Sequence, residues 1–143
     1  VGINEKVIEN MDYFCRVKLI EIINNISQED YDDILDNRDH DEFSNKWMEV
    51  YDQVSSIVKN NSINPEYVQI IKRLRERTFK AIFEHTQSSD LAAYLSDDIS
   101  LLLEAIACNY NHSWLNGLWK KYSEGEIPQG NILLVEGRLD EFI

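Results

Sequence analysis

The sequence predicts an all-α protein: one helical bundle of six or seven helices, with residues 1–143 forming a single domain. Three observations point there. Apolar residues recur at intervals of three and four over most of the chain, the spacing that places them on one face of a helix. Only five Gly and two Pro interrupt 143 residues, so few turns are forced. Capping signals fall between the periodic stretches, where helices should start and stop. With 43% hydrophobic and 28% charged residues, the chain has the composition of a packed domain rather than a disordered one.

Asn4 caps a first helix whose stripe is Ile8, Met11, Cys15, Leu19, Ile22, Ile23 and Ile26. Ser27, with Asp30 three residues on, has the form of a capping box and opens a short second helix through Tyr31, Ile34 and Leu35. A third helix carries Phe43, Trp47, Val50, Tyr51, Val54, Ile57 and Val58 and ends in "KNNS", where Lys59 meets the negative end of the helix dipole. Asn64-Pro65 starts the fourth, because proline at the first helical position loses no hydrogen bond. Its inward residues are Val68, Ile71, Leu74, Phe79, Ile82 and Phe83.

"SSD" at 88–90 opens a fifth helix with Leu91, Leu95, Ile99, Leu102 and Ile106 inward. Within it, Ser96-Asp97-Asp98 also reads as a cap followed by first-turn acids. The chain breaks near Tyr110-Asn111, and a sixth helix holds Trp114, Leu115, Leu118 and Trp119 before "SEGEIPQG". In the tail, Ile132 to Val135 reads as an extended buried run rather than a strand, since no second strand exists to pair with it.

Charge is the strongest remaining signal. The chain carries 26 acids against 14 bases, net −12. Residues 1–60 are net −8, residues 61–89 net +2 and residues 90–143 net −6. Such a field repels phosphate backbones, which argues against nucleic-acid binding, and attracts cationic partners; it also aids solubility. The acids concentrate in "QEDYDDILDNRDHDEF", residues 28–43. There Glu29, Asp30, Asp32, Asp33, Asp36, Asp39, Asp41 and Glu42 surround one cation, Arg38. On a helical turn, Ile34 and Leu35 face inward and most of the carboxylates face out.

Catalytic and metal motifs are missing from the sequence. An EF-hand loop requires a glycine at its sixth position and oxygen ligands at alternate positions. The acidic stretch has no glycine, and Phe43 or Ile34 falls where a ligand is needed. Asp36 and His40 share i,i+4 spacing, but two groups fall short of the three protein ligands that zinc takes. His40, His85 and His112 stand in no HExxH or triad-like pattern. The pairs Asp32-Asp33 and Asp97-Asp98 point to different sides of a helix. No cofactor is expected, and no catalytic residue is assigned.

In "IKRLRERTFK", Arg73, Arg77 and Lys80 form one exposed face flanked by Lys72 and Arg75. In so acidic a chain these cations are expected to pair with the protein's own acids, for about 0–1 kcal/mol each. Trp114 and Trp119 crowd with Tyr110 and Tyr122 near the end; core packing accounts for them, and any left outside beside acids would anchor an interface. The lone cysteines Cys15 and Cys108, the absence of a signal-peptide-like start and of an apolar run near the ~20 residues of a membrane span predict a reduced, soluble, cytoplasmic protein without membrane contact.

"SDLAAYLSDDISLLLEAIACNYNHSWLNGLWKKYSEGEIP", residues 89–128, resembles a C-terminal pattern of small bacterial toxin-immunity proteins. The residues carrying it are Ser89-Asp90-Leu91, Tyr94, Ser96-Asp97-Asp98, Trp114-Leu115-Asn116, Leu118, Tyr122, Gly125 and Pro128. The resemblance implies a non-catalytic cytosolic protein, of the contact-dependent growth inhibition kind, that binds one cognate toxin domain. Charge fits independently: nuclease toxins carry basic clefts for phosphate, and an acidic inhibitor mimics phosphate. The residues expected to face such a partner are Asp30, Asp32, Asp33, Asp36, Asp39, Asp41 and Glu42, with Asp97, Asp98 and Trp114 from the second half. Two alternatives stay open: an acidic nucleic-acid mimic directed at a DNA-binding protein, and an enzyme whose site assembles from His40, His112 and Asp97-Asp98.

Overall fold

The computed structural model describes residues 3–61 and 63–143; Ser62, the last residue of the "KNNS" stop signal, lies outside them. The described residues form helices and connecting segments with no strand. Asn4 caps α1 (Glu5–Tyr13), its side chain accepting from the Val7 amide at 3.0 Å. A π-turn over Phe14–Lys18 leads without a break into α2 (Leu19–Asn24). The wider turn shifts the register so that Phe14, Cys15 and Leu19 all face inward. Phe14 meets the ring edges of Trp119 and Tyr122, with centroids 4.9 and 5.7 Å away.

A single 3₁₀ turn after Ser27 delivers the chain into α3 (Tyr31–Asp39), and His40 is the hinge into α4 (Asp41–Asn60). α5 (Pro65–Thr86) starts as read: the Asn64 side chain accepts from the Glu66 amide at 2.9 Å. It ends where Gln87 adopts a left-handed conformation, φ 57°. Ser88 then caps α6 (Ser89–Ala107) through the Leu91 amide. The short connection makes α5 and α6 antiparallel neighbours. α6 is the centre of the molecule, with eleven of its 19 residues buried. Ser96 is therefore an interior residue in mid-helix, not a cap, which corrects that part of the sequence reading.

α7 (Ser113–Ser123) is capped by His112, whose Nδ1 accepts from the Trp114 amide at 3.1 Å. Its Asn116 side chain donates to the carbonyls of Val135 and Gly137, each at 2.9 Å. The Val135 amide donates back to the Ser113 carbonyl. Gly117 allows the close approach: a Cβ there would sit 2.2 Å from the Leu133 carbonyl oxygen. The tail is thus extended, as expected, but not a buried run. Its backbone is fastened to α7 while Leu133 and Leu134 stand 81% and 63% exposed. A single turn, α8 (Leu139–Phe142), finishes the chain, with the Phe142 carbonyl accepting from the Trp119 indole.

The inward stripes are largely as read; Val68, Tyr51 and Phe83 are exceptions and lie exposed. In α5 the buried residues are Ile71, Leu74 and Ile82, as read, joined by Thr78 and Thr86. Two threonines sit in this interior row because their hydroxyls donate to carbonyls one turn back, at 2.7 and 2.8 Å. Cys15 is buried beside Thr78, and burial pushes its thiol up to about 12, so it packs as a small apolar side chain. No helix among the described residues is long and apolar enough to cross a membrane.

Candidate functional site: an acidic ridge and the cleft beside it

α3 is short and weakly amphipathic, so its own apolar residues hold it poorly. What fastens it is Arg38. Arg38 is 4% exposed, and its guanidinium meets Asp98 of α6 through two parallel bonds, Nη1 to Oδ2 at 2.8 Å and Nη2 to Oδ1 at 2.7 Å. Nη1 also donates to the Pro128 carbonyl at 3.0 Å. Asp98 is fully buried, and it accepts further bonds from the Trp47 indole at 2.9 Å and the Tyr122 hydroxyl at 2.5 Å. The guanidinium lies over the Phe43 ring, 4.5 Å from its centroid, with Tyr94 at 5.7 Å. Donors from α3, α4 and α7 therefore converge on one carboxylate of α6, and the 128 loop joins them through Arg38.

Burial opposes a charged guanidinium, yet the charge and hydrogen bonds of Asp98, with Tyr122, outweigh it and hold Arg38 more firmly protonated than usual. Burial, reinforced by the charge of Asp98, raises the Tyr122 phenol well above its ordinary range. Both groups keep their protons, so the arrangement is a static ion pair with a neutral phenol attached. It fastens α3 to α6.

With Arg38 drawn inward, the carboxylates of its neighbourhood stand outside. Glu29, Asp30, Asp32, Asp33, Asp36, Asp39, Asp41 and Glu42 are all exposed. They form a ridge from the 3₁₀ turn, along α3, to the first turn of α4. Asp32 and Asp33 sit in the first turn of α3, and Asp41 and Glu42 in that of α4, where negative charge is favourable to the helix dipole. The ridge is therefore locally stable despite its self-repulsion.

Of the three remaining residues expected at a partner surface, only Asp97 is outside, half-exposed and 3.3 Å from Arg75. Asp98 and Trp114 are corrections: both are buried and offer no surface to a partner. Asp98 is inside because Arg38 binds it there. Trp114 is inside because its ring packs edge-on to Phe43, with centroids 5.3 Å apart. Neighbouring residues of one helix thus have opposite surroundings, as the spacing of Asp97 and Asp98 implies.

A shallow cleft opens between α3, α4 and α6, next to the ridge. Its floor is aromatic, with Phe43, Trp47 and Tyr94 over the buried Arg38. Asp39 and Asp97 stand at its rim and Met48 at its mouth. The Tyr94 hydroxyl donates to Asp39 at 2.6 Å, and this bond, ahead of burial, raises its phenol. Trp47 stacks on Tyr51 at 5.3 Å, and Met48 and Tyr51 are 48% and 43% exposed. Sequence reasoning missed Trp47, Met48, Tyr51 and Tyr94 as surface candidates. The available signal was the run of large side chains at positions 47, 48 and 51, which one apolar stripe cannot bury together.

The basic helix behaves as expected at two positions: Arg77 pairs with Asp12 at 2.5 Å and Arg75 with Asp97. The histidines are apart in role. His112 spends Nδ1 on the cap and places Nε2 3.3 Å from Glu49, while His40 and His85 are exposed at helix ends. Among the described residues no three His, Cys, Asp or Glu side chains gather as metal ligands.

The helical body carries an exposed acidic ridge, and the family comparison gives the class: this is a toxin-immunity protein. The match runs over residues 15–129, and the chain belongs to the family described as Immunity protein PIM1. That span contains Arg38, Trp47, Asp98, Tyr122 and Pro128, the complete fastening of α3, and extends well beyond the 89–128 stretch that carries the resemblance. None of the curated proteins matches the chain.

Proposed function

We propose that this immunity protein neutralises a basic toxin domain with nuclease activity, an RNase or DNase delivered by contact-dependent growth inhibition, and that it acts in the cytoplasm as an inhibitor without turnover. One observation supports this most: eight carboxylates stand together on one exposed ridge, and the single Lys or Arg among them, Arg38, is turned inward. A surface of fixed negative charges presents to a nuclease cleft what the phosphate backbone presents, and it blocks the cleft by charge and by bulk. Steering by such a field raises association rates towards about 10⁸–10⁹ M⁻¹s⁻¹ at low salt, and screening removes most of the gain.

The test is association kinetics with the cognate toxin domain. Replacing Asp32, Asp33 and Asp36 together by Lys leaves every contact of Arg38 in place. The triple variant should associate at least about tenfold more slowly at low salt, with unchanged helical content. An unchanged rate would remove the ridge from the interface.

A further inference from the structure

We propose that the cleft between α3, α4 and α6 is a socket for one arginine or lysine side chain of the toxin; this rests on the immunity assignment and the acidic contact face above. The cleft holds about 240 Å³ and opens on one side. Small-molecule sites usually occupy roughly 300–1,000 Å³, so the space suits a single protruding side chain better than a ligand of that kind.

Its chemistry selects the side chain. Phe43, Trp47 and Tyr94 give an apolar floor that suits the methylene stem of a long cationic side chain; Arg38 already lies over the Phe43 and Tyr94 rings, at 4.5 and 5.7 Å, so the visiting charge is met by the acids. Asp39 and Asp97 supply acceptors at the rim. Beneath the floor, the charge of Arg38 is already taken up by Asp98 through two bonds. Met48, exposed at the mouth, is unbranched and adapts to an incoming group.

Asp97 lines the cleft, and its ion pair with Arg75 leaves about half of its side chain open to a visiting cation. It is desolvated by its surroundings, and this outweighs the help of Arg75, so its carboxyl is raised above the usual range. Arg75 reaches it from the side through Nε at 3.3 Å, and both side chains are about half exposed. A pair so placed contributes about 0–1 kcal/mol and yields readily to a second donor. A partner guanidinium would therefore complete a carboxylate that its own protein leaves under-compensated.

The experiment uses the tripeptide acetyl-Gly-Arg-Gly-amide and its citrulline analogue, which keeps the shape and loses the charge. Each is titrated into the folded protein while the Trp47 indole and Met48 methyl resonances are followed. The arginine peptide should shift both signals saturably, and the citrulline peptide should not. Asp97→Asn should weaken the arginine response about tenfold, the equivalent of one charge-assisted hydrogen bond, while Asp32→Asn should leave it intact. Equal shifts from both peptides, or shifts spread over all exposed carboxylates with no saturation at Met48, would overturn the socket.

The toxin separates this claim from the one beneath it. If Asp97→Asn with Met48→Ala binds toxin as tightly as the native protein while the ridge variant is impaired, the socket is wrong and the acidic face stands. If neither the socket variant nor the ridge variant changes toxin binding, the acidic-face reading fails as well.

Discussion

The carboxylates of Asp98 and of the α3 ridge are chemically alike and opposite in role. Asp98 is fully buried and accepts from Arg38, Trp47 and Tyr122. The ridge acids face water with no comparable set of donors. A buried ion pair contributes little net stability against a well-packed apolar alternative, because desolvation offsets the attraction, but breaking one is expensive. Exposed acids are cheap to hold and cheap to change. The molecule thus uses one charge to fix where α3 sits and leaves the others available to a partner.

The sharpest way to break that contrast is to unbalance the buried pair. Asp98→Asn leaves a buried guanidinium without its counter-charge and should cost about 3–5 kcal/mol in urea unfolding. Replacing both partners by apolar residues, Arg38→Met with Asp98→Leu, should recover most of the loss. A double variant as unstable as the single one would mean that the pair does more than fix position.

Tyr122 gives a smaller effect and a pH signature. Tyr122→Phe removes a donor from a buried carboxylate and should cost about 1–3 kcal/mol. The native phenol is raised above its unfolded value of 10.0. The folded state therefore retains a proton that the unfolded state releases, so this stabilisation is complete below pH 10 and declines as pH rises beyond it. Thermal melts between pH 8 and 11 should show the decline in the native protein, and a weaker one in Tyr122→Phe.

The smallest effect on folding is expected at the ridge. Reversing Asp32, Asp33 and Asp36 to Lys loses favourable dipole interactions in the first turn of α3 but relieves repulsion among the acids. The net change should stay below about 1 kcal/mol by denaturant unfolding. Residues that matter most to the fold and those offered to the partner are then separable by measurement.

Much of this was legible in the sequence, for reasons that are local. Asn4, Asn64-Pro65 and Ser88 announce helix starts because capping involves only the next three residues. The exposure of the α3 acids follows from the same local periodicity. What periodicity cannot supply is a partner 60 residues away. Helical spacing sets Asp98 beside the inward stripe, one turn from Leu95 and Leu102, and Asp97 on the far side, but it does not say that Arg38 is what receives Asp98 there. Arg38 did carry a clue, as the one cation among eight acids. Trp114 has the residue type of both a core filler and an interface anchor, and its packing on Phe43, a residue 71 positions away, decides for the core. Leu133 and Leu134 looked buried because they are apolar, but their segment is held through its backbone by Asn116 and Ser113, and backbone bonds do not depend on where the side chains face.

The most direct test of the central claim is the affinity of this protein for its cognate toxin by calorimetry at low and high salt, native beside the Asp32, Asp33, Asp36 to Lys variant. The account predicts tight native binding that weakens as salt rises, and a variant that binds less well with a shallower salt dependence. Native binding insensitive to salt, with the variant equally tight, would contradict it and move the contact off the acidic ridge.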